Sequence, residues 1–244
     1  MLLAGIDIET TGLDINNDRI VEISAVLWDW DKQVPVEIYS SLVYEEDMPN
    51  IDTTFEVSHI DKEMLEQYGK SPKIVMEEMC VLLNKGEYIV SHNGIDFDKP
   101  VVEQFYIRNG INAVGNPTWI DTMYDIVYPP MCKYRSLMYL SAYYEFINPF
   151  PHRALFDVMS MFKVMHKAVG DNIDEVVARA KSPMLTIQAI VSFNDKDLAK
   201  AEKFRWEPDK KIWYKRMKEI DIDNEWLDNL PFEIRILEDE MSQV

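Results

Sequence analysis

The chain opens on an apolar run, Leu2-Leu3-Ala4-Gly5-Ile6, that continues as Asp7-Ile8-Glu9 before the turn Thr10-Thr11-Gly12. Apolar residues of this kind predict a buried strand. Residues i and i+2 of a strand share a face, so Asp7 and Glu9 point the same way, with Cα atoms about 6.5 Å apart. Residues 19–28 predict a second strand and residues 34–43 a third, joined by short polar connections as an antiparallel meander. Residues 44–52 form an acidic loop in which Pro49 breaks any helix. Residues 57–65 read as a turn entering a short helix.

Ser71-Pro72 opens a helix, Ser suiting the cap and Pro the first helical position. Its apolar positions Ile74, Val75, Met79, Leu82 and Leu83 predict one buried face. A short buried strand over 87–91, a helix over 100–109 that stops near Gly110, and a strand over 119–121 follow. Helices are predicted around 123–127 and 137–144. The Pro-rich corner Asn148-Pro149-Phe150-Pro151 then precedes a long helix over 153–168. Three leading strands followed by alternating helices and short strands predict an α/β fold with a mixed sheet. Beyond a connecting helix, a strand (185–193), a helix (196–203) and a strand (211–217) predict a small αβ module. The domain reading is 1–170, a linker over 171–184, and a βαβ-like module with an acidic tail over 185–244.

Composition narrows the function classes. With 47% hydrophobic and 28% charged residues the chain furnishes a real core. No apolar run approaches the roughly 20 residues that cross a bilayer, so no membrane role is expected. Met1-Leu2-Leu3 enters the first strand with no basic segment or cleavage site. Cys80 and Cys132 read as reduced thiols, and with no C-x-x-C they build no zinc site. A cytoplasmic setting is expected. The formal net charge of −18 argues against charge-driven coating of nucleic acid or membrane. It leaves open a nucleic-acid substrate held by a metal centre and a few local bases.

Two ionised acids as close as Asp7 and Glu9 repel each other, and burial adds a desolvation cost. A divalent cation offsets both; pairing with a Lys or Arg is the plainer alternative. Two later stretches add acids. In Ser91-His92-Asn93-Gly94-Ile95-Asp96-Phe97-Asp98 an acid falls at the start of a helix, where the dipole favours it. In His152-Arg153-Ala154-Leu155-Phe156-Asp157 the spacing does not put both end residues on one helical face. His152 is expected on the Pro-fixed loop and Asp157 in the first turns of the helix, a pairing that suits a general base beside a metal ligand.

These motifs, D-x-E-T-T-G, then H-N-x-x-x-F-D, then H-x-x-x-x-D, resemble in order and spacing the DEDDh exonucleases of the DnaQ superfamily, over roughly the first two-thirds of the chain. Within that superfamily the likeness is to the exodeoxyribonuclease X branch, on Val57-Ser58-His59-Ile60, Trp119-Ile120-Asp121-Thr122-Met123 and Lys133-Tyr134. The resemblance implies an RNase H-like mixed sheet flanked by helices. It implies Asp7, Glu9, Asp98 and Asp157 as the metal-binding acids and His152 as the base. Relatives commonly carry two residues between His-Asn and Phe-Asp where this chain has three, so Asp96 stands as a rival to Asp98. Oxygen-only ligands select Mg²⁺ or Mn²⁺, and two such ions stabilise both the attacking and the leaving oxygen.

Thr10, Asn93, Lys133 and Arg153 are the expected substrate contacts, with Arg135 as a further steering base. His59 and His166 are expected to be structural. The implied activity is 3′–5′ removal of 5′-mononucleotides from single-stranded ends, DNA above RNA. The alternatives are an exoribonuclease of the oligoribonuclease or RNase T type, a proofreading subunit that mainly binds a DNA polymerase, or a catalytically dead binding protein. Residues 203–218 place seven bases against Glu207 and Asp209, interleaved with Phe204, Trp206, Trp213 and Tyr214. That pattern suits either a single-strand groove or a small core with lysines outside it.

Overall fold

The computed structural model describes residues 1–111, 115 and 117–237, and leaves undescribed the side chains of Asp52, Thr53 and Asn224. Of the stretch predicted to be acidic and poorly periodic, 219–244, residues 238–244 lie outside the described residues. The chain divides into two compact units, residues 1–177 and 178–244.

In the first unit a five-stranded sheet runs β3-β2-β1-β4-β5. Its strands are β1 (Leu2–Thr10), β2 (Ile20–Asp29), β3 (Val34–Leu42), β4 (Tyr88–Ser91) and β5 (Trp119–Asp121). The first three pair antiparallel, and β4 and β5 add parallel to β1. The helices are α1 (Ile51–Ser58), α2 (Lys62–Tyr68), α3 (Pro72–Leu83), α4 (Asp98–Asn109), α5 (Leu137–Tyr143), α6 (Ala154–Val169) and α7 (Ile173–Lys181), which runs into the second unit.

Strand alternation sorts β1 into two faces. Ala4, Ile6 and Ile8 join Val75, Met76 and Met79 of α3 and Val101, Val102 and Phe105 of α4 in one buried cluster. Gly5, Asp7 and Glu9 face the other way, toward α6. A Cβ on Gly5 would collide with Phe162 and Val158, so the missing side chain sets how closely α6 approaches β1. Gly5→Ala is therefore expected to overpack this contact and lower stability by about 1–3 kcal/mol. Thermal unfolding checks it: an unchanged Tm would mean that Phe162 shifts aside without strain.

Two predicted elements differ. Residues 123–127 form turns, not a helix. Asp121 caps a single turn there, its Oδ1 accepting the Met123 N–H at 2.9 Å and its carbonyl the Asp125 N–H at 2.7 Å, and the turn does not continue. The predicted loop before residue 52 gives way to α1, whose flanking residues Asn50 and His59 adopt left-handed conformations, φ 56° and 58°. Pro49 precedes this helix and does not prevent it.

The second unit holds a four-stranded antiparallel sheet of order β7-β8-β6-β9: β6 (Met184–Ile190), β7 (Arg205–Glu207), β8 (Ile212–Lys218) and β9 (Glu233–Leu237). Short helices α8 (Lys196–Ala201) and α9 (Asn224–Asn229) complete it. Ile187, Ala189, Ala199 and Phe204 form its core, with Trp213 and Trp226 packed against them. It has two more strands than the sequence suggests, because β7 is only three residues long and β9 lies in a stretch that reads as acidic and irregular.

Candidate active site

β1 carries Asp7 and Glu9 on the face that meets α6, and Asp157 sits in the first turn of α6. One ligand oxygen from each of these three acids lies within 4.8 Å of the others. β4 pairs with β1 only as far as Gly5, and beyond it the Ile8 N–H donates to the Asp98 carboxylate. Asp98 thus reaches the same cleft from the start of α4 on the opposite side of the sheet. Its Oδ1 is buried with no hydrogen-bond partner. The cleft holds about 760 Å³ and is lined by Asp7, Glu9, Asn93, Asp98, His152 and Asp157 on its polar side. Leu137, Met138, Phe146 and Ile147 form an apolar wall. Asp96 is engaged elsewhere, accepting the Tyr124 hydroxyl at 2.7 Å.

The electrostatics follow from this crowding. Asp7 keeps a small face open to the cleft but is otherwise enclosed. Burial, then the charges of Asp98, Glu9 and Asp157, holds its carboxyl well above the usual range. Burial with Asp157 and Glu22 pushes Glu9 up to about 8. Burial pushes Asp98 up to about 7 and Asp157 to about 6. Four carboxyls with oxygen-only donors, one of them with a buried oxygen that has no partner, fit a hard divalent cation. Among the described residues no Lys or Arg forms an ion pair with these four acids; Arg153 lowers Glu9 somewhat but is bonded to Glu22.

That pair reveals a residue the sequence reading overlooked. Arg153 Nε donates to Glu22 Oε2 at 3.1 Å and its Nη2 to Oε1 at 2.8 Å. The Ala154 N–H donates to Glu22 Oε2 at 3.0 Å. Glu22 is 3% exposed and lies opposite Glu9 in the β1–β2 ladder. It caps α6 across the sheet and so fixes where Asp157 stands. Arg153 therefore anchors α6, and it does not line the cleft. Its cue was a lone acid inside the apolar strand 20–28. Asn148, also overlooked, donates from Nδ2 to Asp157 Oδ1 at 2.8 Å and orients it.

The remaining expected contacts are scattered. Asn93 lines the cleft in a left-handed conformation, φ 65°, and its N–H donates to Asp121 Oδ1 at 2.9 Å. Asp121 also accepts the Ile95 N–H at 3.0 Å, and so shapes the turn leading to Asp98. Thr10 Oγ1 donates to the Gly12 carbonyl at 2.6 Å. Lys133 is exposed, and neither it nor Thr10 lines the cleft. Arg135 donates to the Cys132 carbonyl and lies over the Tyr128 ring. Arg135, too, does not line the cleft. His92 is wedged between the Thr122 hydroxyl (2.8 Å) and the Arg135 carbonyl (2.7 Å), and burial lowers it to about 4. His166 accepts the Trp28 Nε1–H at 2.8 Å and stacks on Trp30. His152 stands at the rim, exposed, with φ 61°.

Comparison with known proteins decides the family. Residues 4–165 match the family described as Exonuclease, of RNase T type. The chain belongs to this exonuclease family. Residues 185–237 match a domain family of unknown function. The exonuclease chain is 27% identical over 193 residues to the PolC-type DNA polymerase III of Ureaplasma parvum, covering 73% of this chain and 13% of the polymerase. It is 29% identical over 153 residues to that of Pediococcus pentosaceus, covering 62% and 10%. The chain thus spans about a tenth of the length of these curated relatives. Among solved structures, Escherichia coli exonuclease I in complex with a dA16 oligonucleotide gives a TM-score of 0.63 at 13% identity, covering 95% of this chain and 68% of the other. Exonuclease I of Methylocaldum szegediense gives 0.58 at 16%, covering 81% and 49%. The mixed sheet flanked by helices is the RNase H-like exonuclease fold that the motifs imply.

Proposed function

We propose that this exonuclease is a metal-dependent 3′–5′ enzyme that removes 5′-mononucleotides from single-stranded DNA ends. The observation that carries the reading is the convergence of Asp7, Glu9 and Asp157 oxygens within 4.8 Å in a cleft that Asp98 and His152 also line. Asp7, Glu9, Asp98 and Asp157 would hold Mg²⁺ or Mn²⁺, two ions in our reading. When bound, these ions supply charge stabilisation to the phosphoryl oxygens and to the attacking and leaving oxygens. His152, exposed at the rim, takes the proton of the attacking water. The water oxygen bonds to phosphorus, the bond to the 3′ oxygen breaks, and that oxygen takes a proton from solvent, so the shortened strand leaves with a 3′ hydroxyl. Asn148 and Glu22 keep Asp157 oriented throughout. The apolar wall of Leu137, Met138 and Phe146 accepts the terminal bases.

DNA is favoured because the similar curated proteins are DNA polymerases and the similar solved structures include oligodeoxynucleotide complexes. Kinship with the exodeoxyribonuclease X branch rests on the sequence motifs. The polymerase likeness also favours a second reading, that the chain proofreads for a DNA polymerase it binds.

The test uses 5′-labelled DNA and RNA strands with wild type and His152→Gln. A ladder shortening from the 3′ end of DNA is expected, abolished by EDTA and reduced by roughly 10²-fold or more in the variant. An RNA-only ladder would make the chain an exoribonuclease. Intact strands of both kinds would end the proposal.

A further inference from the structure

The registers of the second unit place a row of side chains that no catalytic reading uses. Arg205 of β7 pairs with Tyr214 of β8. Tyr214 pairs with Gln188 of β6, and Gln188 with Arg235 of β9. Residues directly opposite in antiparallel strands share a face, so Arg205, Tyr214, Gln188 and Arg235 form one row across the sheet. At about 4.8 Å per strand the row is roughly 14 Å long. The core lies on the other side: Ile187, Ala189, Trp213 and Ile234 alternate with these positions and pack against Ala199 and Phe204. Arg205 and Arg235 are exposed, and Tyr214 and Gln188 are half-buried. Arg179 and Lys200 of this unit pair with Asp221 and Asp197, whereas neither Arg205 nor Arg235 has an acid paired with it among the described residues. Arg216 stands on the same face, one row along.

We propose that this open sheet face binds single-stranded nucleic acid, the two arginines holding phosphates and Tyr214 stacking a base. Charge carries the choice of occupant. In a chain of net charge −18, a row with two guanidiniums that no acid pairs with, and with Arg216 beside it, is locally basic, although Glu207 and Glu233 stand one row along on the same face. An aromatic between them adds what a phosphate alone does not need and an unstacked base does. A four-stranded antiparallel sheet that presents arginine and aromatic side chains is one general way to hold two or three splayed bases. A duplex hides its base faces from such a row. Gln188 offers both a donor and an acceptor to a base edge. The lysines singled out by composition are differently used: Lys215 lies over Phe204 and Trp226, and Lys218 is buried with its Nζ on the Ser182 carbonyl. None of these residues lines the acid cleft, and the inference shares with the proposed function only the class of polymer.

The test is fluorescence anisotropy of labelled dT30 and rU30 with the full chain in EDTA, across a salt series. Arg205→Ala/Arg235→Ala is expected to weaken binding tenfold or more. Its plot of log K against log salt should be shallower by about 1.4, two phosphates at ~0.7 each. Tyr214→Ala should weaken it about tenfold and Tyr214→Phe should not. Hydrolysis of the p-nitrophenyl ester of thymidine 5′-monophosphate, a single nucleotide that needs only the acid cleft, should be unchanged in every variant. Weaker binding with that ester hydrolysed normally supports both readings. Weaker binding by the variants, with an ester that the wild-type chain never hydrolyses, supports this face and overturns the exonuclease proposal. Unchanged binding in correctly folded variants overturns the face. So does polyglutamate competing as well as dT30, which would make it an acidic-peptide site.

Discussion

Asp7→Asn is expected to cut hydrolysis of a single-stranded DNA end by on the order of 10³-fold or more, about 4 kcal/mol of barrier. Asp7 is the acid that all the others surround: Asp98, Glu9 and Asp157 each act on its charge. Asn keeps the shape and removes the charge, so the backbone of β1 and its ladder to β2 need not move. The loss should fall on kcat, with KM for the strand little changed, because the charge acts on what develops at phosphorus and not on the resting polymer. Mn²⁺ titration by calorimetry should show at least one site weakened or lost. Activity within tenfold of wild type would remove Asp7 from the centre of the chemistry. A larger effect at Glu22, which touches no substrate in this reading, would mean that positioning α6 outweighs direct ligation.

That contrast bears on what the sequence shows by itself. The acids are legible because strand alternation makes Asp7 and Glu9 neighbours, and because an acid at a helix start has a recognisable place. The resemblance then joins Asp98 and Asp157 to them. Choosing Asp98 over Asp96 needs the three-dimensional fact that Tyr124 occupies Asp96. Glu22 is illegible for a different reason. Its meaning lies in a register, opposite Glu9, and in a bond across 131 residues to Arg153. From spacing alone Arg153 looks like a loose cation beside the site. The bidentate geometry shows it is spent on Glu22, and residues before a helix gain such partners only when the sheet is assembled. Arg235 is hidden in the same way. It sits in a stretch whose average is acidic, and only pairing with Gln188 brings it into a row with Arg205.

Without metal, the first unit is expected to lose stability as pH rises from about 4.5 to 8, and divalent cations are expected to restore it. Burial and neighbouring acids raise Glu9 from 4.5 to about 8 and Asp98 from 3.8 to about 7. Raised acid pKa values mean that the folded state binds more protons than the unfolded one between those limits. The derivative of unfolding free energy with pH is then negative. The contribution is fully present below about pH 4 and is lost as pH passes through 7 to 8. A few kcal/mol are at stake, roughly 10 °C in Tm for a unit of this size. In EDTA at pH 8, Asp7→Asn should therefore melt above wild type, and at pH 4.5 the gap should close. Mg²⁺ or Mn²⁺ should lift wild type and not the variant, since ligation of the folded state alone stabilises by mass action. The same substitution thus removes activity and adds stability, because four carboxyls are held together against their own repulsion for an ion that only the wild-type set binds well. Equal melting of the two proteins in EDTA at pH 8 would show that the acids are relaxed without metal, and would take away the reason for one to bind.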